Sequence, residues 1–362
     1  MNKLLYILLI FVMAGVTNVA EAGNPDRQGE AGAYELLMNP WARSAGLHTM
    51  TTSMISGVEA IRLNPAGLSR LSGTEIVIGS SLYLKGSDIK MNAVGLGQAI
   101  GANGSFGLTL MALDFGDIPV QTEDQPEGTG ATFSPSFFNL GLSYSHLFEN
   151  KVSVGVTVRA VSESISDARA SAVTLDAGVQ YVTGERDEFK FGISLRNIGG
   201  RMVFQGDGLV NPGKFQNGAV LIDRGVDERA EVFQLQSMLN IGGSLDFYVG
   251  SKHKLTVVGN YTSNAFSQDQ IGGGVEYAFN ELVMIRGGYR HDFGHVSAGG
   301  NERPIYSGPA AGFTLNVPVN KKDNAPRVAI DYGYRATEVY DGTHNLSLRI
   351  NLYKERKAKD KE

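Results

Sequence analysis

The sequence predicts an all-β protein, a transmembrane antiparallel β-barrel of about 14 strands preceded by an N-terminal plug segment. Three observations predict it. A two-residue alternation of apolar and polar side chains returns about a dozen times along the 362 residues. A secretion signal stands at the start. After that signal, no stretch approaches the roughly 18 apolar residues that a spanning helix needs.

The alternation is plainest near the end, where Leu346, Leu348, Ile350 and Leu352 alternate with Ser347, Arg349, Asn351 and Tyr353. Successive side chains of a strand point to opposite faces, so this stretch has one apolar face and one polar face. A soluble sheet does this too. Repetition combined with a secretion signal reads as a barrel with lipid outside and water within. The signal is Asn2-Lys3 followed by the apolar run Leu4–Val16, 13 residues and too short to span a bilayer comfortably. Ala20-Glu21-Ala22 is a small-x-small cleavage site, so residues 1–22 read as a signal peptide and Gly23 as the mature start. The alternative is an uncleaved anchor helix. The absence of Cys excludes a lipoprotein anchor, disulfides and cysteine-based zinc or redox chemistry. A formal net charge of -5 argues against nucleic-acid binding, which calls for a basic stripe. The 46 Gly and 14 Tyr suit tightly curved strands and membrane interfaces.

In chain order, the expected strands are residues 75–84, 89–100, 105–113, 138–148, 152–160, 173–181, 189–196, 235–248, 254–262, 271–279, 283–291, 313–319, 328–335 and 346–353. The second, rich in Gly, is ambiguous in face. An even count suits closure of a single-chain bacterial barrel. Connections support it: the long ones, residues 116–136, 199–234 and 293–311, are all odd-numbered, whereas turns 101–104, 149–151 and 280–282 fall on the opposite side. In an outer-membrane barrel the long set faces outward and the short set the periplasm. A soluble β-sandwich or propeller uses similar strands, but a propeller shows a blade repeat and none is found.

Charge placement sharpens the expectation. Arg159, Arg196, Glu276, Arg286, Arg290, Asp331, Arg335 and Arg349 sit on the polar sides of their strands. A charge facing lipid at mid-membrane costs about 2–4 kcal/mol, so the lumen is the tenable place for them. Both signs are present, which suits a packed or gated interior as well as an open water channel.

Residues 23–72 lack the alternation and contain the only Trp, Trp41. Two stretches stand out. One carries Leu36, Leu37, Pro40, Ala42, Arg43, Ala45 and Gly46; the other carries Asn64, Pro65, Ala66 and Gly67 ahead of Leu68. Asn-Pro and Ala-Gly restrict the backbone and mark turns. A helix-breaking segment at the entrance of a closed barrel is most simply an internal plug, buried in protein rather than lipid. The alternative is a periplasmic tail with a little local structure. On this division, residues 73–353 are the barrel and 354–362 a charged periplasmic tail, with both termini in the periplasm.

The two stretches also carry a resemblance. A Leu-Leu-x-x-Pro-x-Ala-Arg-x-Ala-Gly block, followed some 20 residues on by Asn-Pro-Ala-Gly-Leu, resembles the PorV/PorQ family of Bacteroidetes-type outer-membrane proteins. The second element alone also occurs in the wider FadL family, transporters of long-chain fatty acids and other hydrophobic compounds. Both resemblances imply a FadL-like barrel of about 14 strands with N-terminal residues in its lumen. The PorV/PorQ resemblance implies service to the type IX secretion system, beside a large translocon barrel and secreted cargo bearing C-terminal signal domains. It makes the long outer loops the contact surfaces, with Asp117, Glu123, Asp124 and Glu127 as an acidic patch for a basic cargo face. The other reading of that patch is a solvated loop beside anionic lipopolysaccharide. The sequence departs from the family pattern where Leu47-His48-Thr49-Met50 replaces a Gly-rich continuation, and again in its charged tail beyond Tyr353.

Catalytic constellations are not found: there is no Gly-x-Ser-x-Gly elbow and no phosphate-binding loop. Residues 95–101 miss the dinucleotide spacing, so their glycines read as room for curvature or for close plug contact. His291, Asp292 and His295 are a weak metal trio. No enzyme activity and no cofactor are expected. Two functions remain: an accessory barrel of type IX secretion, or a FadL-like channel for long-chain fatty acids or other hydrophobic compounds. An apolar lumen beside residues 36–68 favours transport, and a tightly packed charged interior favours a scaffold.

Overall fold

The computed structural model describes residues 27, 29–149, 151–217, 220–293, 305–306, 308–320, 325–337 and 340–353, with backbone alone at 212, 214–217, 220–221 and 223. The expected signal peptide, the mature start at Gly23, His295 and the tail 354–362 lie outside the described residues. Fourteen antiparallel strands close into one barrel. They are β1 (Gly73–Leu82), β2 (Lys90–Ile100), β3 (Gly104–Asp114), β4 (Ser136–Phe148), β5 (Val152–Ile165), β6 (Ala168–Thr183) and β7 (Phe189–Gly199). The second half comprises β8 (Met238–Val249), β9 (His253–Asn264), β10 (Gln270–Phe279), β11 (Val283–Asp292), β12 (Gly308–Pro318), β13 (Arg327–Arg335) and β14 (Thr343–Tyr353). Each strand pairs with its chain neighbour, and β1 closes on β14 from Gly73↔Tyr353 to Leu82↔His344. Closure leaves no free strand edge, which lets a sheet sit in hydrocarbon with its backbone groups satisfied. Among the described residues, no helix is long and apolar enough to cross a membrane.

The two faces of the sheet divide as alternation requires. Leu142, Val158, Leu175, Ile285, Ile330 and Leu346 point outward and are 47–59% exposed, with no protein over them. So broad an apolar surface on a single chain marks a membrane face. Aromatic pairs border it at both rims. Phe106 and Tyr144 (ring centroids 4.9 Å), His146 and Phe148 (4.6 Å), and His253 and Phe279 (5.2 Å) lie at the short-turn rim. Tyr334 and His344 (5.0 Å) mark the other. Such girdles sit at the two interfaces of a membrane barrel. The barrel is therefore transmembrane.

Connection lengths divide between the rims only in part. Residues 101–103, 184–188, 250–252 and 280–282 are short turns at one rim, whereas residues 115–135 and 200–237 are long and share the opposite rim with the two-residue turn 166–167. The seventh connection is more than a loop. It folds its own hairpin, Val210–Asn217 on Val220–Asp227, within what the sequence predicts as plain connection. Its final strand residues, Gln234–Leu235, pair in parallel with Ala31–Gly32 of the N-terminal segment. The expected strand 235–248 therefore begins late, at Met238, because Leu235 is used to hold the plug. In the twelfth strand the difference runs the other way. β12 begins at Gly308, well before Phe313, and its inward positions there, Ala310 and Gly312, are too small to produce visible alternation.

Candidate functional site: the plugged lumen

Residues 30–72 occupy the lumen as short helical turns (Tyr34–Leu36, Ala42–Ala45, Ala60–Leu63, Pro65–Arg70) joined by tight bends. Helices this short are marginal in isolation, so the wall must hold them. The segment enters at the long-connection rim, where Glu30 O accepts from Gln234 N (3.0 Å). It leaves at the short-turn rim, where Gly73 starts β1 beside Tyr353. The described ends of the chain thus lie at opposite rims, not on one side; the outermost residues, expected to share the periplasm, lie outside the described set.

One side of the lumen is apolar. Trp41, Val58, Ile61, Leu68 and Leu71 of the plug pack against Val77, Met91, Ala93, Met111 and Leu113, with Met38, Phe115 and Phe137 at the margin. The inward faces of β2, β3 and β4 carry no ionisable residue at all: they present Met91, Ala93, Gly95 and Gly97, then Ser105, Gly107, Thr109, Met111 and Leu113, then Phe137, Asn139, Gly141, Ser143 and Ser145. Glycine makes the close fit feasible. A Cβ on Gly95 would lie 2.3 Å from Val58 Cγ1, and one on Gly107 2.3 Å from Ile61 Cδ1.

The other side is charged, and its cations grip the plug by its backbone. Arg159 pairs with Asp176 at 2.6 Å and reaches Ile61 O at 3.5 Å. Arg196 donates to Leu36 O (3.3 Å). Arg286 pairs with Glu276 (2.8 Å) and donates to Arg43 O (3.4 Å) and Thr314 Oγ1 (2.6 Å). Arg349 meets Asp331 at 3.2 Å. Arg335 stacks over the Tyr306 ring (4.3 Å), and Arg290 donates to Tyr306 O (3.0 Å). All eight strand charges face inward, and all but half-buried Arg290 are buried. Removing one partner of a buried ion pair costs about 3–5 kcal/mol, so these pairs fix the plug rather than line an open channel.

The motif residues meet in the same lumen. Asn64 Nδ2 donates to Thr52 O (2.8 Å) and to Val179 O on the wall (3.2 Å), while its Oδ1 accepts from Ala66 N (3.2 Å). Pro65 and Ala66 lie against Gly155, where a Cβ would stand 2.3 Å from the Pro65 carbonyl carbon. Gly67 has no room for a side chain, with Ile55 O 2.2 Å from its would-be Cβ. In the first block, Ala42 N donates to Ser347 Oγ (3.0 Å) and Pro40 O accepts from Ser81 Oγ (3.3 Å). Gly46 sits against Gly312, 3.0 Å from its would-be Cβ to the Gly312 Cα. Leu36 and Ala45 are buried; Leu37 and Arg43 are half-buried.

Several groups that matter carried no sequence signal beyond being charged residues in an apolar segment. Arg62 is buried and donates to Met38 O and Glu35 O. Glu59 accepts from Ser44 Oγ (2.9 Å), and Glu75 accepts from Val58 N (2.6 Å). Glu35, in the plug and outside the spanning strands, is fully buried with both carboxylate oxygens unpartnered. Burial, and then the charge of Glu163, push it up to about 8.

Of the weak metal trio, only His291 and Asp292 lie among the described residues, and they diverge. His291 faces outward beside Phe293 (5.9 Å) while Asp292 is buried inward, as neighbours on a strand must be. Among the described residues no three potential ligands gather. Asp117, Glu123, Asp124 and Glu127 are exposed on the third connection, which is braced by a short pairing of Ile118–Pro119 with Thr132–Phe133.

No protein-family model matches the chain, and no curated protein matches it. Solved structures do. A FadL homologue of Pseudomonas aeruginosa is 11% identical, with a TM-score of 0.52 over 86% of this chain and 98% of that one. The toluene transporter TodX of Pseudomonas putida is 12% identical, with a TM-score of 0.51 over 86% and 96%. The toluene transporter TbuX of Ralstonia pickettii is 13% identical, with a TM-score of 0.52 over the same shares. At such identity the likeness is one of fold alone: this chain is similar in fold to these FadL-type barrels.

Proposed function

We propose that this chain is an outer-membrane channel for hydrophobic compounds, held closed by its plug. The observation that carries the reading is the division of the lumen. A continuous wall without ionisable groups, formed by β2–β4, runs between the rims and is covered by the apolar side of the plug. The charged wall opposite holds the plug by its carbonyls. A plug retained on one side and merely packed on the other can yield along the packed side. Met38, Met91 and Met111 line that side, and methionine adapts readily to varied apolar shapes. The toluene transporters of similar fold support the same assignment by analogy of fold. The short-turn rim then faces the periplasm with Tyr353, and the long connections face outward with the described N-terminal end.

A second reading, an accessory role in type IX secretion, is favoured by the motif resemblance and by the seventh connection with its hairpin. In it, the exposed Asp117, Glu123, Asp124 and Glu127 would meet cargo or the translocon. One experiment separates the two. A deletion strain with impaired uptake of monoaromatic hydrocarbons or long-chain fatty acids and unchanged surface proteins supports the channel. Loss of surface proteins bearing C-terminal sorting domains, with normal uptake, refutes the channel and supports secretion.

A further inference from the structure

At the short-turn rim a cavity of about 220 Å³ lies between plug and wall. At about 30 Å³ per water, it holds a compact ion with part of its hydration. Its charges do not balance locally. Arg43 and Arg70 come from the plug, Lys190 and Lys254 from the wall, and the carboxylates are Asp187, Asp246 and Glu276. Two of these acids are already engaged. Asp246 is paired with Lys190 and accepts from Thr256 Oγ1 (2.7 Å), and Glu276 is paired with Arg286. Arg43, Arg70 and Lys254 have no carboxylate at ion-pair distance, against the one remaining acid, exposed Asp187. Arg70 makes a single long bond, to Lys151 O (3.4 Å), and its Nε is without a partner. Ser53, 1% exposed, also lines the cavity with an unpartnered hydroxyl. Half-buried cations facing one cavity are better accommodated with a counter-charge.

We propose that this cavity binds a compact phosphate-type dianion, entering from the short-turn side and bridging plug to wall through Arg43, Arg70 and Lys254, with Ser53 as a hydroxyl donor. The surplus of cations over carboxylates on the lining suits an anion, and guanidinium forks suit phosphate geometry. The site is separate from the apolar route along β2–β4, so it stands whether or not the channel reading does.

The test uses the purified full-length protein in phosphate-free detergent buffer, titrated calorimetrically with inorganic phosphate. Saturable binding is expected, weakened at least tenfold by Arg43→Gln and by Lys254→Gln, each retaining wild-type heat-modifiable migration. Phosphatidic acid in mixed micelles is the second arm. Saturable binding there that depends on the same two residues, with free phosphate silent, assigns the phosphate to a lipid headgroup and supports the site. No saturable heat in either arm overturns the proposal. So does heat that survives both substitutions, the sign of an adventitious ion only.

Discussion

If hydrophobic compounds pass between the plug and β2–β4, stapling that seam shut must block them. The pair Val58→Cys and Gly95→Cys does this. A Cβ on Gly95 lies 2.3 Å from Val58 Cγ1; adding one bond of about 1.5 Å puts the two Cβ atoms within about 3.8 Å, the ordinary spacing across a disulfide. No native Cys competes. The bridge closes a loop of about 38 residues, for which the chain-entropy estimate is about 4 kcal/mol. While that bond is intact, positions 58 and 95 cannot separate, so the plug cannot leave this wall. The control pair, Ala45→Cys and Gly333→Cys, staples the charged side, where the would-be Gly333 Cβ lies 3.2 Å from Ala45 Cβ. Uptake of radiolabelled toluene and oleate by cells carrying each variant is measured before and after reduction. The Val58/Gly95 pair is expected to lose uptake when oxidised and regain it when reduced, while the control keeps uptake in both states. Normal uptake by the oxidised Val58/Gly95 variant, or equal block by the control, refutes the route.

Three further outcomes are expected. Arg159→Met leaves Asp176 buried without its cation and Ile61 O with the Thr157 hydroxyl as its remaining side-chain donor, so thermal unfolding in detergent should reveal a loss of about 3–5 kcal/mol; an unchanged transition contradicts the clamp. Leu142→Arg, at the middle of β4 and 59% exposed on the outer wall, should cost about 2–4 kcal/mol in folding into lipid vesicles. A neutral result would remove Leu142 from the lipid face. Glu35 has its pKa raised when folded, so its ionisation opposes folding: the penalty is absent below the unfolded value near 4.5 and grows until about pH 8. Plug protection from protease should therefore weaken as pH rises through that window, and Glu35→Gln should flatten the dependence.

Much of the barrel was legible because a lipid-facing wall forces every second residue to be apolar. Val152–Val158 and Leu346–Leu352 announce their strands and their outward faces together. The signal fades where the inner face serves the plug. The start of β12 shows no alternation because Ala310 and Gly312 are small, Gly312 where Gly46 packs against it, and β2 is ambiguous because Gly95 and Gly97 make room for Val58 and Leu71. The inward direction of the eight strand charges follows from alternation, but their targets do not. That Arg196 and Arg286 hold backbone carbonyls of Leu36 and Arg43 depends on contacts more than a hundred residues apart. Neither the hairpin at Val210–Asp227 nor the pairing of Leu235 with Gly32 has a periodic signature long enough to read. The motif words Asn64-Pro65-Ala66-Gly67 marked a bend; only the packed lumen explains why each is needed.

Planar-bilayer conductance tests the central claim, that a plug latched on one wall closes a membrane barrel. The wild-type protein should insert without steady ion-conducting steps, and a variant lacking residues 34–70 should open a persistent conductance in the same bilayer. Steady porin-like steps from the wild-type protein would contradict it.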